Sequence, residues 1–228
     1  MTHYVIDKPP RIAAPIKNTD ALFPVRRIYC IGRNYADHAI EMGHDPDREP
    51  PFFFQKNPDN LDFSGTFTYP EKSLDVHYEI ELVIAIGKGG KDISLASAVN
   101  HVYGYALGLD MTRRDLQGEM KKMGRPWEIG KAFEKSAPMA PIIPASGLGH
   151  PVQGLIDLKV NGVLKQKGDL NQMIWKTAEM ISYLSTYYEL AAGDLIMSGT
   201  PAGVGPIVKG DIMTGSIAGM GELLVTVV

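Results

Sequence analysis

His77, Glu79 and Glu81 occupy every second position of the apolar run LDVHYEIELVIAIG, residues 74 to 87. Alternate side chains of an extended strand share a face, so these three point one way while Ile80, Leu82, Ile84 and Ile86 point the other. Two ionised carboxylates held close together away from water are costly unless a cation or strong donors compensate them. A metal ion is the simplest compensation. A solvent-facing edge strand with one polar side has the same spacing. If a metal is bound, Asp110, which ends the run VYGYALGLD, is a sound third oxygen ligand. An all-carboxylate set selects a hard cation, Mg²⁺ first and Mn²⁺ or Ca²⁺ next, whereas zinc would recruit His77.

A second pair lies in RNYADHAIEMGHD, where His38 and Glu41 stand three residues apart, on one face of a short helix. A carboxylate beside an imidazole orients it and raises its basicity, as a general base acting on water requires. Ordinary surface pairs share this spacing, so the pair acquires meaning only from its surroundings.

The elements that must hold these groups follow from the pattern around them. RRIYCIG reads as a buried strand, followed by the short helix, which Gly43 closes and Pro46, Pro50 and Pro51 keep from continuing. From PFFFQKN to residue 109, β-rich runs alternate with turn residues, broken by a short helical stretch at LASAVNHV. LKVNGVLKQ is a hairpin signal, because Asn161-Gly162 suits a type I′ turn. NQMIWKTAEMISYLSTYY reads as a helix whose Ile174, Ala178, Ile181 and Leu184 face the core. The C-terminal part is strands divided by Gly- and Pro-rich turns, and its GTPAGVG lacks the spacing of a phosphate-binding loop. Residues 1 to 25 read as an N-terminal arm with one short strand, packed on a single domain spanning 26–228.

Composition bounds the partners. The chain has 228 residues, 44% of them hydrophobic and 21% charged, enough for a sizeable core. A net charge of -3 gives no bulk attraction to nucleic acid or to an anionic membrane. A single cysteine, Cys30, excludes an intrachain disulfide and reads as a buried structural thiol. No apolar run approaches the ~20 residues of a membrane span, and MTHYVIDKPP lacks a signal-peptide core, so the cytoplasm is the expected compartment.

Taken in order, GRNYADHAIEMG, HYEIELVIAIG, GYALGLDMTRRDLQ, GKAFEKSAPMAP, KVNGVLKQ and GDLIMSGTPAGVGP resemble the fumarylacetoacetate hydrolase family across roughly residues 26 to 228. Together with PPFFFQK, they are most similar to its short bacterial branch of acylpyruvate and fumarylpyruvate hydrolases. One departure is Asn57 after Lys56, where that branch leads us to expect proline.

The resemblance implies a mixed α+β fold, mostly β: a fumarylacetoacetate hydrolase-type β-roll with a few short helices, assembled as a homodimer. It implies Mg²⁺ held by Glu79, Glu81 and Asp110, with His38 and Glu41 as the water-activating dyad. Gln117 and Lys131 match positions facing the substrate and the developing oxyanion, with Arg114 beside them. Thr200 matches a substrate-carboxylate contact, and Arg33 and Lys56 stand as further basic residues on the substrate side.

The implied reaction is hydrolysis of the C3-C4 bond of a 2,4-dioxo acid, fumarylpyruvate or a related acylpyruvate, with a pyruvate enolate as leaving group. Oxaloacetate decarboxylation, oxo-acid isomerisation or hydration, and a non-catalytic diacid-binding module are the competing readings. The presence of both His38 and Glu41 favours hydrolysis, since decarboxylation has less use for a base.

Overall fold

A computed structural model describes residues 3–7, 9–41 and 50–228. The expected helix stop at Gly43 and Pro46 lies outside these residues.

The apolar runs form a sheet buried on both sides, as strands without polar alternation must be. Its six strands lie in the order Ile143–Pro144, Val102–Leu109, Ile80–Ile86, Asp194–Met197, Arg27–Gly32 and Phe52–Lys56. Only the pairing of Asp194–Met197 with Arg27–Gly32 is parallel. A second sheet has five strands, ordered Val163–Asp169, Leu155–Val160, Ile212–Ile217, Gly221–Val227 and Thr66–Phe67. The hairpin at Asn161-Gly162 is present, and both residues have the positive φ (52° and 78°) that its turn requires.

The two faces of Ile80–Ile86 serve two cores. Ile80, Leu82, Ile84 and Ile86 join Ile156, Leu158, Met213 and Val225 of the five-stranded sheet. Val83 and Ala85 join Ile28, Cys30, Leu195 and Met197, and here the N-terminal segment contributes Ala14, Ile16, Phe23 and Val25. That segment holds two short strands, Ala13–Pro15 and Leu22–Pro24, paired antiparallel, where one was expected. Cys30 is buried as expected, and desolvation pushes its thiol up.

Two expectations need adjustment. The helix expected over NQMIWKTAEMISYLSTYY begins at Thr177, so Ile174 precedes it and donates its N–H to the Asn34 carbonyl at 2.7 Å. The run 74 to 87 is also two strands, not one. Val76–Tyr78 pairs with Thr112–Arg113 and Gly205–Pro206, and Ile80–Ile86 enters the six-stranded sheet. Glu79 sits at this junction, where its carbonyl accepts the Asp110 N–H at 2.8 Å.

Candidate active site

The register of two strands builds the acidic cluster. Ile80 pairs with Leu109 and Glu81 with Gly108, so Asp110 leaves its strand beside Glu79. Glu79, Glu81 and Asp110 are 5%, 2% and 0% exposed, which excludes a solvent-facing polar edge. Each offers a carboxylate oxygen within 4.8 Å of the other two.

Cations surround the cluster. Lys131 donates to Glu79 Oε2 at 2.8 Å and to Asp110 Oδ2 at 2.7 Å. Arg114 pairs with Glu79 Oε1, and the Gly199 N–H donates to Glu81 Oε2 at 2.9 Å. Burial alone would raise the Glu79 carboxyl, but Lys131 and Arg114 outweigh it and hold Glu79 ionised. Glu81 moves the other way, pushed well up by burial and by the charges of Asp110 and Glu79. Lys131 is raised, because Asp110 and Glu79 outweigh its own desolvation.

This donor set fits a hard divalent cation. Asp110 Oδ1 is buried and, although Lys56 Nζ lies 2.9 Å away, it accepts no hydrogen bond. A buried carboxylate oxygen without a hydrogen bond, beside a Glu81 whose burial and acidic neighbours disfavour its ionisation, is what a ligating cation would satisfy. Oxygen-only ligation suits Mg²⁺ or Mn²⁺. His77 is turned elsewhere: its Nε2 lies 2.9 Å from Asp75 Oδ1, and its Nδ1 accepts from Arg114 Nε at 3.4 Å.

Among the described residues the helix of His38 and Glu41 spans Ala36–Glu41, and its surroundings hold it. His38 is buried, with Nδ1 3.2 Å from Glu41 Oε2. Both Glu41 oxygens accept the Gly203 N–H at 3.1 Å. Just before the helix, buried Asn34 donates to the Ser198 and Trp175 carbonyls at 2.8 and 3.0 Å and accepts the Trp175 N–H at 2.6 Å. These bonds tie the dyad to the loop that follows Asp194–Met197.

One cleft is lined by Arg33, His38, Glu79, Glu81, Asp110, Arg114, Gln117, Lys131 and Thr200. Glu41 does not line it and reaches it only by its contact with His38. Gln117 is held by its carbonyl oxygen, which accepts from Arg114 Nη1 at 2.7 Å, leaving the amide nitrogen to donate.

Two positions differ from expectation. Lys56, expected on the substrate side, lies behind Asp110, 2% exposed. Its ammonium donates to the carbonyls of Met111 and Lys131 and to Ser136 Oγ, so it has no donor left for a substrate. Thr200 lines the cleft, but its hydroxyl proton is committed to the Ile80 carbonyl at 2.8 Å, and the oxygen accepts from Gln166 at 2.8 Å. Only its main chain is left to donate to a carboxylate.

Sequence reasoning missed Gly203, Asn34 and Lys121. No local pattern marks the first two. Lys121 follows Arg114 and Gln117 on one helical face, at i+7 and i+4, a spacing that could have found it.

Comparison with known proteins agrees with this geometry. The chain matches the fumarylacetoacetate (FAA) hydrolase C-terminal family over residues 27–228. The fumarylpyruvate hydrolase of a Ralstonia species is 47% identical over 189 residues, covering 82% of this chain and 98% of that protein. The mitochondrial oxaloacetate decarboxylase of Dictyostelium discoideum is 42% identical over 197 residues, 86% of this chain and 90% of that protein. The crystal structure of fumarylpyruvate hydrolase from Pseudomonas aeruginosa in complex with Mn²⁺ and pyruvate is 53% identical, with a TM-score of 0.97 and 99% of each chain covered. Fold, acidic cluster and sequence agree: the chain belongs to the fumarylacetoacetate hydrolase family.

Proposed function

We propose that this protein is a metal-dependent hydrolase that cleaves the C3-C4 bond of a 2,4-dioxo acid, with fumarylpyruvate as substrate and fumarate and pyruvate as products. The observation that carries this reading is that a buried carboxylate trio and an oriented imidazole open on the same cleft. The similarity to an enzyme crystallised with Mn²⁺ and pyruvate supports it. Glu79, Glu81 and Asp110 would hold the cation, with Mg²⁺ as the resident ion.

When bound, such a cation supplies Lewis acidity toward the oxo-acid oxygens and takes up the charge left by the broken bond. The chain's own residues do the rest. Glu41 on Nδ1 directs the Nε2 of His38 to take a proton from water as the water oxygen attacks C4. Lys131 has two of its three donors on Glu79 and Asp110, and its third, with the Gln117 amide, stabilises the oxyanion. As the tetrahedral carbon collapses, the C3-C4 electron pair stays with C3. The proton stored on His38 then becomes available to the leaving pyruvate.

The competing reading is oxaloacetate decarboxylation, favoured by the Dictyostelium relative. It leaves the anchored His38-Glu41 pair without a task. Pyruvate release from fumarylpyruvate, acetylpyruvate and oxaloacetate, with Mg²⁺ and with chelator, separates the two. Fast Mg²⁺-dependent cleavage of fumarylpyruvate supports hydrolysis, and turnover of oxaloacetate alone refutes it. We place the enzyme in aromatic-compound degradation, as a cytoplasmic homodimer, and light scattering of the purified protein tests the dimer.

A further inference from the structure

The cleft holds two kinds of cation. Lys131 and Arg114 are neutralised by the acidic cluster, and Lys56 stands behind Asp110. Arg33 and Lys121 also line the cleft, but among the described residues the side chain of neither makes a hydrogen bond or an ion pair. Among the described residues, the close contacts of their charged ends are aromatic. The Arg33 guanidinium lies 5.4 Å from the Phe52 ring centroid, and Lys121 Nζ lies 4.9 Å from that of Trp127. Phe52 and Trp127 meet edge to face at 5.3 Å, so a continuous aromatic wall joins the two charges.

Cation–π contacts orient a charge without neutralising it. Arg33 is held there by a left-handed backbone, φ 58°, that few non-glycine residues adopt and that clusters at functional positions. Lys121 is placed by the helix face that also carries Arg114 and Gln117, near the end of Arg114–Met123. Half-buried cations without anions are costly unless a ligand supplies one.

We infer that Lys121 and Arg33 form an anion subsite for a carboxylate on the acyl half of the substrate, selecting acyl groups with a terminal carboxylate over neutral ones. Lys121 is the specificity-determining residue this adds. The inference rests on the hydrolase reading above. The apolar aromatic wall between the cations suits the carbon chain of the acyl group. Burial, with Arg114 and Arg33 nearby, draws the Lys121 ammonium down to about 8, consistent with a cation held among cations.

The test is the ratio of kcat/KM for fumarylpyruvate to kcat/KM for acetylpyruvate, at saturating Mg²⁺, in the wild type, Lys121→Met, Lys121→Arg and Arg33→Met. A ratio does not depend on the fraction of folded enzyme. The ratio should fall about 10- to 100-fold in Lys121→Met and in Arg33→Met, the loss expected for a charge-assisted hydrogen bond, and largely recover in Lys121→Arg. An unchanged ratio in both methionine variants, or a wild type that prefers acetylpyruvate, overturns the subsite while hydrolysis stands. A wild type inactive on both substrates overturns the hydrolase reading and the subsite with it.

Discussion

Gly203 donates its N–H to both carboxylate oxygens of Glu41 at 3.1 Å, across 162 residues of sequence. The described helical residues, Ala36–Glu41, carry few contacts of their own, so such a bond fixes where their side chains stand. Gly203 has φ 96°, and a Cβ there would lie 2.1 Å from the Lys165 carbonyl oxygen. Gly203→Ala should therefore move the anchor and lower kcat about 10- to 100-fold with little change in Mn²⁺ affinity. Steady-state kinetics and calorimetric metal titration check the two halves; equal loss of both would mean the loop, not the dyad, was disturbed.

His38→Ala removes the base and leaves the acidic cluster whole. Fumarylpyruvate hydrolysis should drop at least about 100-fold, while any oxaloacetate decarboxylation survives in part. Assays of both substrates on one preparation decide this, and equal retention of both activities would remove the dyad from the mechanism.

Glu79→Ala takes away one carboxylate and leaves Lys131 and Arg114 without it. Metal binding and turnover should be lost together. Isothermal titration with Mn²⁺ is the check, since undiminished affinity would mean the ion sits elsewhere.

Lys56→Met tests the corrected role of that residue. Removing one partner from a buried charge pair costs about 3–5 kcal/mol, so the melting temperature should fall clearly. A stable variant with a raised KM would return Lys56 to the substrate side.

The subsite reading also predicts a pH dependence through Lys121. Burial above all, then the charges of Arg114, Arg33 and Lys131, lower its pKa, and Glu79 raises it; the net result is about 8. The ammonium is present below that value and lost above it. On the subsite reading, kcat/KM for fumarylpyruvate should thus decline as pH rises through about 8, relative to acetylpyruvate. Lys121→Met should abolish that relative decline, and its persistence in the variant would assign it to another group.

Much of the site was legible locally, because strand and helix periods are properties of the chain itself. Alternation placed Glu79 and Glu81 on one face, the three-residue spacing paired His38 with Glu41, and Asn161-Gly162 announced its hairpin. The family resemblance supplied the acidic trio as a set. Period does not say what lies opposite a face. The face that carries Glu79 and Glu81 turns apolar at Val83 and Ala85, because a second core packs there. Strand register brought Asp110 beside Glu79, and burial behind Asp110 took Lys56 away from the cleft. The bond from Gly203 to Glu41 and the aromatic wall joining Arg33 to Lys121 unite residues far apart in sequence. Such contacts depend on which elements pack together, and only the tertiary structure decided that.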